Sequence, residues 1–197
     1  MSKFSSDDVR KFLTPVSKPT WMNEGCGCES IRGQKLEIDV DKIDPKDLFT
    51  KIVVALRGMQ IWFHGAHVLA KGTGYSGDHV NLYGRIYTEL DDQIDGAMEK
   101  AIGITGDEGT VCPSKIIKIL AAASDLYGSP SGASSTEIAR MGHEIVNDVL
   151  AALEMIYKIL KMHDMMTLGL EDFIAGLSNT HEGYYYLLGQ RIKNHLD

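Results

Sequence analysis

Residues 48–101, LFTKIVVALRGMQIWFHGAHVLAKGTGYSGDHVNLYGRIYTELDDQIDGAMEKA, hold two amphipathic segments in tandem, and their reading decides the fold. Leu48, Ile52, Leu56, Met59, Phe63 and Ala66 step by three and four, the period of one helix face, and predict a helix over residues 48–72. Gly72, Gly74 and Gly77 interrupt the pattern as a short connection. Leu82, Ile86, Leu90, Ile94, Ala97 and Ala101 then repeat it to about residue 103, so the two helices are expected to be antiparallel neighbours.

Working outward, Ser134-Ser-Thr-Glu137 has the form of a capping box and opens a third helix. Ile138, Ile145, Val149, Ala152, Ile156 and Ile159 carry it to about His163. A fourth runs from about Leu170 to His195, with Phe173, Ile174, Leu177, Leu188 and Ile192 on its apolar side. Between helices two and three lie residues 104–133, rich in Gly and Pro around the apolar piece Ile116 to Leu126. Two short connections flanking one long one fit an all-α, ferritin-like four-helix bundle with a single crossover that carries a short helix. Residues 48–197 are read as this one domain. Residues 1–47, with Pro15, Pro19, Gly25, Gly27 and Pro45, read as an irregular N-terminal arm in which Leu36-Glu-Ile-Asp-Val40 alternates like a strand or a surface segment.

The chain has 197 residues, is 44% apolar and has a formal charge of −7. That is enough chain for one sizeable core, and the acidity opposes tight binding to a phosphate backbone, so DNA is not an expected partner. No apolar run reaches the roughly eighteen residues of a membrane span, and MSKFSSDDVRKF lacks a signal-peptide pattern. Three cysteines cannot form a disulfide framework, and Cys26 and Cys28 are poorly placed to bridge each other. A reducing, cytoplasmic location is expected.

Three histidines and a row of acids carry the candidate chemistry. His64 and His67 stand i, i+3 on the first helix, and His79 opens the second. Asp91, Asp95 and Glu99 stack i, i+4, i+8 along the second. Imidazole suits Fe²⁺, and carboxylates suit the harder Fe³⁺. Each histidine taken singly also reads as a surface or interface residue, and the acidic stripe also reads as a solvated face. A di-iron site inside one bundle takes Glu-x-x-His pairs from two helices. None of the seven histidines here has a glutamate three residues before it, so the ligands must be assembled in another way. Met165-Met166 reads as packing, and His143, His163 and His181 as structural or solvated.

The stretch His67-Val-Leu-Ala-Lys-Gly72-Thr-Gly-Tyr75-Ser-Gly-Asp-His79 resembles the His-Trp-x-x-x-Gly-x-x-Phe-x-x-x-His of the Dps mini-ferritins. Asp95-Gly-Ala-Met-Glu99-Lys100 is similar to that family's Asp-x-x-Ala-Glu-Arg. His181-Glu182-Gly-Tyr-Tyr-Tyr186-Leu187-Leu188 resembles its last-helix His-Glu-x-x-x-Trp-x-Leu. The resemblance spans roughly residues 48–195. It implies a ferroxidase and iron-storage subunit of a hollow homododecamer that oxidises Fe²⁺ with hydrogen peroxide or oxygen. It further implies a site in which His67 and His79 face Asp95 and Glu99 of a neighbouring subunit, holding one or two irons. Val68 stands where the family has Trp, Tyr83 where many members have Asp, and the interval from His79 to Asp95 is one residue longer. That extra residue is absorbed at the start of the second helix or by a π-bulge, or else it shifts the ligand set toward Asp91 or His64. The alternative reading is a ferritin-like cage or coat component without ferroxidase activity.

Overall fold

In a computed structural model the described residues are 44–124 and 127–193. Helix α1 spans Pro45–Leu69. Asp44 caps it by accepting a hydrogen bond from the Lys46 amide at 2.9 Å, and Pro45 occupies the first turn, where its missing N–H costs nothing. After the Gly72–Gly74 turn a π-helical stretch, Gly77–Gly84, runs without a break into α2, Arg85–Thr105. A 3₁₀ turn at Glu108–Val111 leads to the short α3, Pro113–Ala122. Helices α4, Ser135–Met162, and α5, Leu168–Lys193, complete the chain. The described residues are all helical or connecting, with no strand among them, and no helix among them is long and apolar enough to cross a membrane.

The four long helices and the short crossover helix read from the sequence are present among the described residues, with small shifts at their ends. The first helix starts three residues earlier than the apolar pattern, because Asp44-Pro45 supplies the cap that periodicity alone does not mark. The capping box forms as read: Ser134 Oγ accepts from the Glu137 amide at 3.3 Å, and Glu137 Oε2 accepts from the Ser134 amide at 2.7 Å. The bond from the Ser134 amide, with the Ser134 hydroxyl beside it, holds the Glu137 carboxyl below its usual range. The arm over residues 1–43, its alternating 36–40 segment, Cys26, Cys28 and the last residues from Asn194 lie outside the described residues.

Burial follows the two apolar stripes. Leu48, Leu56, Met59, Phe63, Ile86, Leu90 and Ile94 are sealed from solvent, as are Ile138, Ile156, Ile159 and Leu188 from α4 and α5. Phe173 and Ile192 are only half-buried. Helix α1 packs on α2, α4 packs on α5, and α1 packs on α4. The long crossover is tied down along α1. Thr50 Oγ1 donates to the Thr110 carbonyl at 2.8 Å, Trp62 Nε1 to the Gly128 carbonyl at 3.2 Å, and Tyr127 OH to the Ala55 carbonyl at 3.4 Å. Thr50 and Trp62 on α1 thus satisfy carbonyls of the crossover, and Tyr127 of the crossover returns a bond to an α1 carbonyl.

A polar network joins α2 to α5. His181 is fully buried, and its Nε2 lies 2.8 Å from Gln93 Oε1. An amide oxygen only accepts, so Nε2 carries the proton and Nδ1, which has no partner, is a bare acceptor. Gln93 donates to Tyr184 OH at 3.3 Å, Tyr184 donates to Glu89 Oε2 at 2.5 Å, and Arg85 donates to Glu89 Oε1 at 2.7 Å. Burial works against the charged Glu89, but the bonds from Tyr184 and Arg85 outweigh it and hold its carboxyl below the usual range.

Burial also drives the His181 imidazole down to about 4 from an ordinary 6.5. Between those values the unfolded chain binds a proton that the folded chain refuses, so the contribution is intact above about 6.5 and is lost as pH falls toward 4. Melting temperature should therefore drop across this window, by the equivalent of up to about 3 kcal/mol at its acid end. In His181→Gln the slope between pH 6.5 and 4 should flatten; an unchanged slope would assign the loss to other groups.

Candidate metal centre

The sharp return from α1 into the π-helical stretch places His67, in the last turn of α1, against His79. Their rings stack at a centroid separation of 3.7 Å and an interplanar angle of 16°. Each imidazole reaches the other residue's backbone. His67 Nδ1 lies 2.5 Å from the His79 carbonyl oxygen, and His79 Nδ1 lies 2.7 Å from the His67 carbonyl oxygen. A carbonyl oxygen is an acceptor only, so both Nδ1 atoms carry protons and donate. In the neutral imidazole this leaves a lone pair on each Nε2. A histidine fixed through one ring nitrogen to a carbonyl and open at the other is the usual arrangement of a metal ligand.

Two features of the backbone permit this exchange. The carbonyl of His67 lies in the last turn of α1, where it keeps a long 3.4 Å bond from the Ala70 amide and has room to accept a second from the His79 imidazole. The second feature is Gly84. A Cβ there would sit 2.6 Å from the His79 oxygen and 3.1 Å from His67 Nδ1, so only glycine lets the imidazole approach this carbonyl. The π-helical geometry spans Gly77–Gly84 and so overlaps the start of the interval from His79 to Asp95. A π-turn takes up an additional residue without breaking the helix.

Other aromatic rings extend the stack. Tyr75 stacks on His79 at 4.9 Å and 19°. Tyr87 lies against His67 at 5.1 Å and stacks on His64 at 4.6 Å and 22°. His64 is thus in the same row, 6.4 Å from His67 between ring centroids, but exposed and held by Tyr87.

The carboxylates are placed elsewhere. Asp91 faces α1, where its Oδ1 accepts from Gln60 Nε2 at 2.5 Å and lies 3.6 Å from Arg57 Nη1. Asp95 and Glu99 are exposed farther along α2 and have no hydrogen-bond or ion-pair partner among the described residues. Sixteen residues separate His79 from Asp95, which is roughly 20–25 Å of helix. Among the described residues no three His, Cys, Asp or Glu side chains converge where they could hold a metal ion. One copy of the chain therefore brings His67 and His79 together and keeps Asp95 and Glu99 apart from them.

Two further residues lie near the pair, and the first of them gave no signal in the sequence. Asp78, adjacent to His79, is buried and forms a two-point ion pair with Arg191 of α5, at 2.6 Å to Nε and 2.8 Å to Nη2. Tyr83 is buried against Phe63, with 6.1 Å between ring centroids, and its hydroxyl has no partner. Burial, with Asp78 nearby, raises its pKa well above that of an ordinary phenol, so it is a neutral packing group. The remaining histidines have other surroundings. His143 stacks on Tyr185 at 3.9 Å and burial lowers its pKa, while His163 is exposed at the end of α4. A cleft of about 560 Å³ between α4 and α5 is lined by Glu154, Glu171 and Glu182. Two of these carboxylates are already engaged, Glu154 by Lys158 and Glu171 by Tyr157 and Lys161.

Gly84→Ala tests the close approach directly. The added methyl group should force the imidazole and carbonyl apart at a cost of about 1–3 kcal/mol, the usual penalty for overpacking. A chemical-denaturation midpoint equal to that of the unsubstituted protein would show that the backbone relaxes freely here.

No protein-family model, curated protein or solved structure matches this chain, and its own residues carry the functional reading.

Proposed function

We propose that the chain is a subunit of a ferroxidase and iron-storage assembly with a ferritin-like bundle architecture. In this reading His67 and His79 of one copy and Asp95 and Glu99 of a neighbour hold Fe²⁺ at a subunit interface. The observation that carries the proposal is the reciprocal Nδ1-to-carbonyl bonding, which fixes both imidazoles and leaves both Nε2 lone pairs for a metal. A metal needs more than two nitrogens, and one copy supplies no third ligand among the described residues. Asp95 and Glu99 are the unengaged carboxylates of the α2 stripe. The surface around the pair also suits coverage by protein: Ile61, Val68 and Val80 are each about 60% exposed or more. Such apolar exposure beside two polar ligands is characteristic of an interface rather than of a solvated face.

The chemistry follows from the ligand types. Neutral imidazoles accept Fe²⁺, and carboxylates favour the harder Fe³⁺, so a mixed set lowers the cost of oxidation. Two Fe²⁺ give two electrons to one hydrogen peroxide, which with two protons leaves two Fe³⁺ and two waters. Oxygen is the other possible acceptor. The ferric product passes to the interior of a closed homo-oligomer, a dodecamer by resemblance. The burial of Tyr83 against Phe63, where many members of the resembling family carry an aspartate, favours the second reading, a cage without ferroxidase activity.

Stopped-flow iron oxidation with peroxide separates the two readings. His67→Ala/His79→Ala and Asp95→Ala/Glu99→Ala should each lose most of the fast phase. Because a twofold interface pairs each copy's histidines with the other's acids, co-assembly of the two inactive variants should restore about a quarter of the sites. Wild-type rates in both double variants would end the ferroxidase reading. Inactive variants that fail to complement would place the site within one copy.

A further inference from the structure

The buried ion pair between Asp78 and Arg191 has no part in the ligand set above, yet it lies one residue from His79. Asp78 is 3% exposed and belongs to the π-helical stretch, and Arg191 sits in the last turn of α5. Both guanidinium contacts are short, 2.6 Å from Nε and 2.8 Å from Nη2, each to a different carboxylate oxygen. This two-point geometry fixes orientation as well as distance, which a single contact cannot do. Gly74 makes room for it: a Cβ there would lie 2.9 Å from Arg191 Nη2 and 3.2 Å from Asp78 Oδ2. The turn, the π-helical stretch and the end of α5 are thus locked at one point. Burying an ion pair gives little net stability compared with apolar packing, so its value here is more readily geometric.

We propose that Arg191 is a positioning residue for the histidine pair. Through its fork on Asp78 it sets the orientation of the π-helical stretch, and so holds the His79 imidazole and carbonyl where His67 can exchange hydrogen bonds with them. The inference rests on the metal-binding reading of His67 and His79. Its mechanism is that of an outer partner which orients a ligand without touching the metal. Removing partners of that kind weakens metal affinity by about ten- to a hundredfold.

The test uses the intact assembly with Co²⁺ as a probe, followed by calorimetry and by the visible absorption of the bound ion. Asp78→Asn/Arg191→Gln removes both charges and leaves no carboxylate stranded. Arg191→Lys keeps the charge and loses the fork, and serves as the milder variant if the first folds poorly. Each should bind Co²⁺ about tenfold more weakly or worse, with helical content and assembly size unchanged, and Arg191→Lys should fall between the double variant and wild type. A variant that melts earlier but binds Co²⁺ as tightly as wild type would overturn the proposal, because the ion pair would then be structural only. If wild type itself binds no Co²⁺, the metal reading fails instead. The positioning claim is then decided by a crystal structure of Asp78→Asn/Arg191→Gln. Histidine rings still stacked at 3.7 Å with both carbonyl bonds intact would refute it, and separated rings would sustain it.

Discussion

The exchange of hydrogen bonds between His67 and His79 is the constraint to which the surrounding structure is fitted. It requires α1 to end at His67's own turn, so that this carbonyl keeps just a long 3.4 Å bond from the Ala70 amide and is open to the His79 imidazole. It requires the following helix to begin as a π-helix, with Gly84 beneath the imidazole. It then determines what the rings can do. With both Nδ1 atoms committed to carbonyls, the chemistry of the pair is confined to the two Nε2 atoms. A tight turn, an irregular helix start and a glycine in mid-helix would each cost stability elsewhere; here they act together on one contact.

Much of the fold was legible because apolar spacing is a local property. Every stripe residue read in the first two segments, from Leu48 to Ala66 and from Leu82 to Ala101, is buried. The Ser134–Glu137 box is equally local and forms as written. What the sequence did not disclose depends on distant pairs or on backbone atoms. Asp78 and Arg191 are 113 residues apart, and nothing in either neighbourhood announces the other. The exchange of bonds between His67 and His79 involves carbonyls, which every residue possesses, so only folded geometry selects them. The one accessible hint was Gly84, a glycine inside an otherwise helical pattern, which often marks a close approach.

The candidate site was half legible in the same sense. The short connection between the helices ending near His67 and starting near His79 allows the two residues to meet, and the structure stacks their rings. Asp91 was open as a ligand, and the structure engages it with Gln60 and Arg57 on α1, contacts that need both helices in place before they can be seen. His64 was open as well, and it stands in the ring stack behind Tyr87. Asp95 and Glu99 lie beyond the reach of the pair within one chain because about four or more turns of helix separate them from His79, so one copy does not bring the four together. The absence of any Glu-x-x-His pair is the sequence counterpart of that geometry.

The most direct test of the account is an anomalous difference map, recorded at the iron edge, from crystals of the assembled protein soaked anaerobically in Fe²⁺. The account predicts density between the Nε2 atoms of His67 and His79 and the carboxylates of Asp95 and Glu99 from a neighbouring copy. Nitrogen contacts should be near 2.1 Å, as for other first-row metals on imidazole. Density confined to other carboxylates, with the stacked histidines bare, would contradict it.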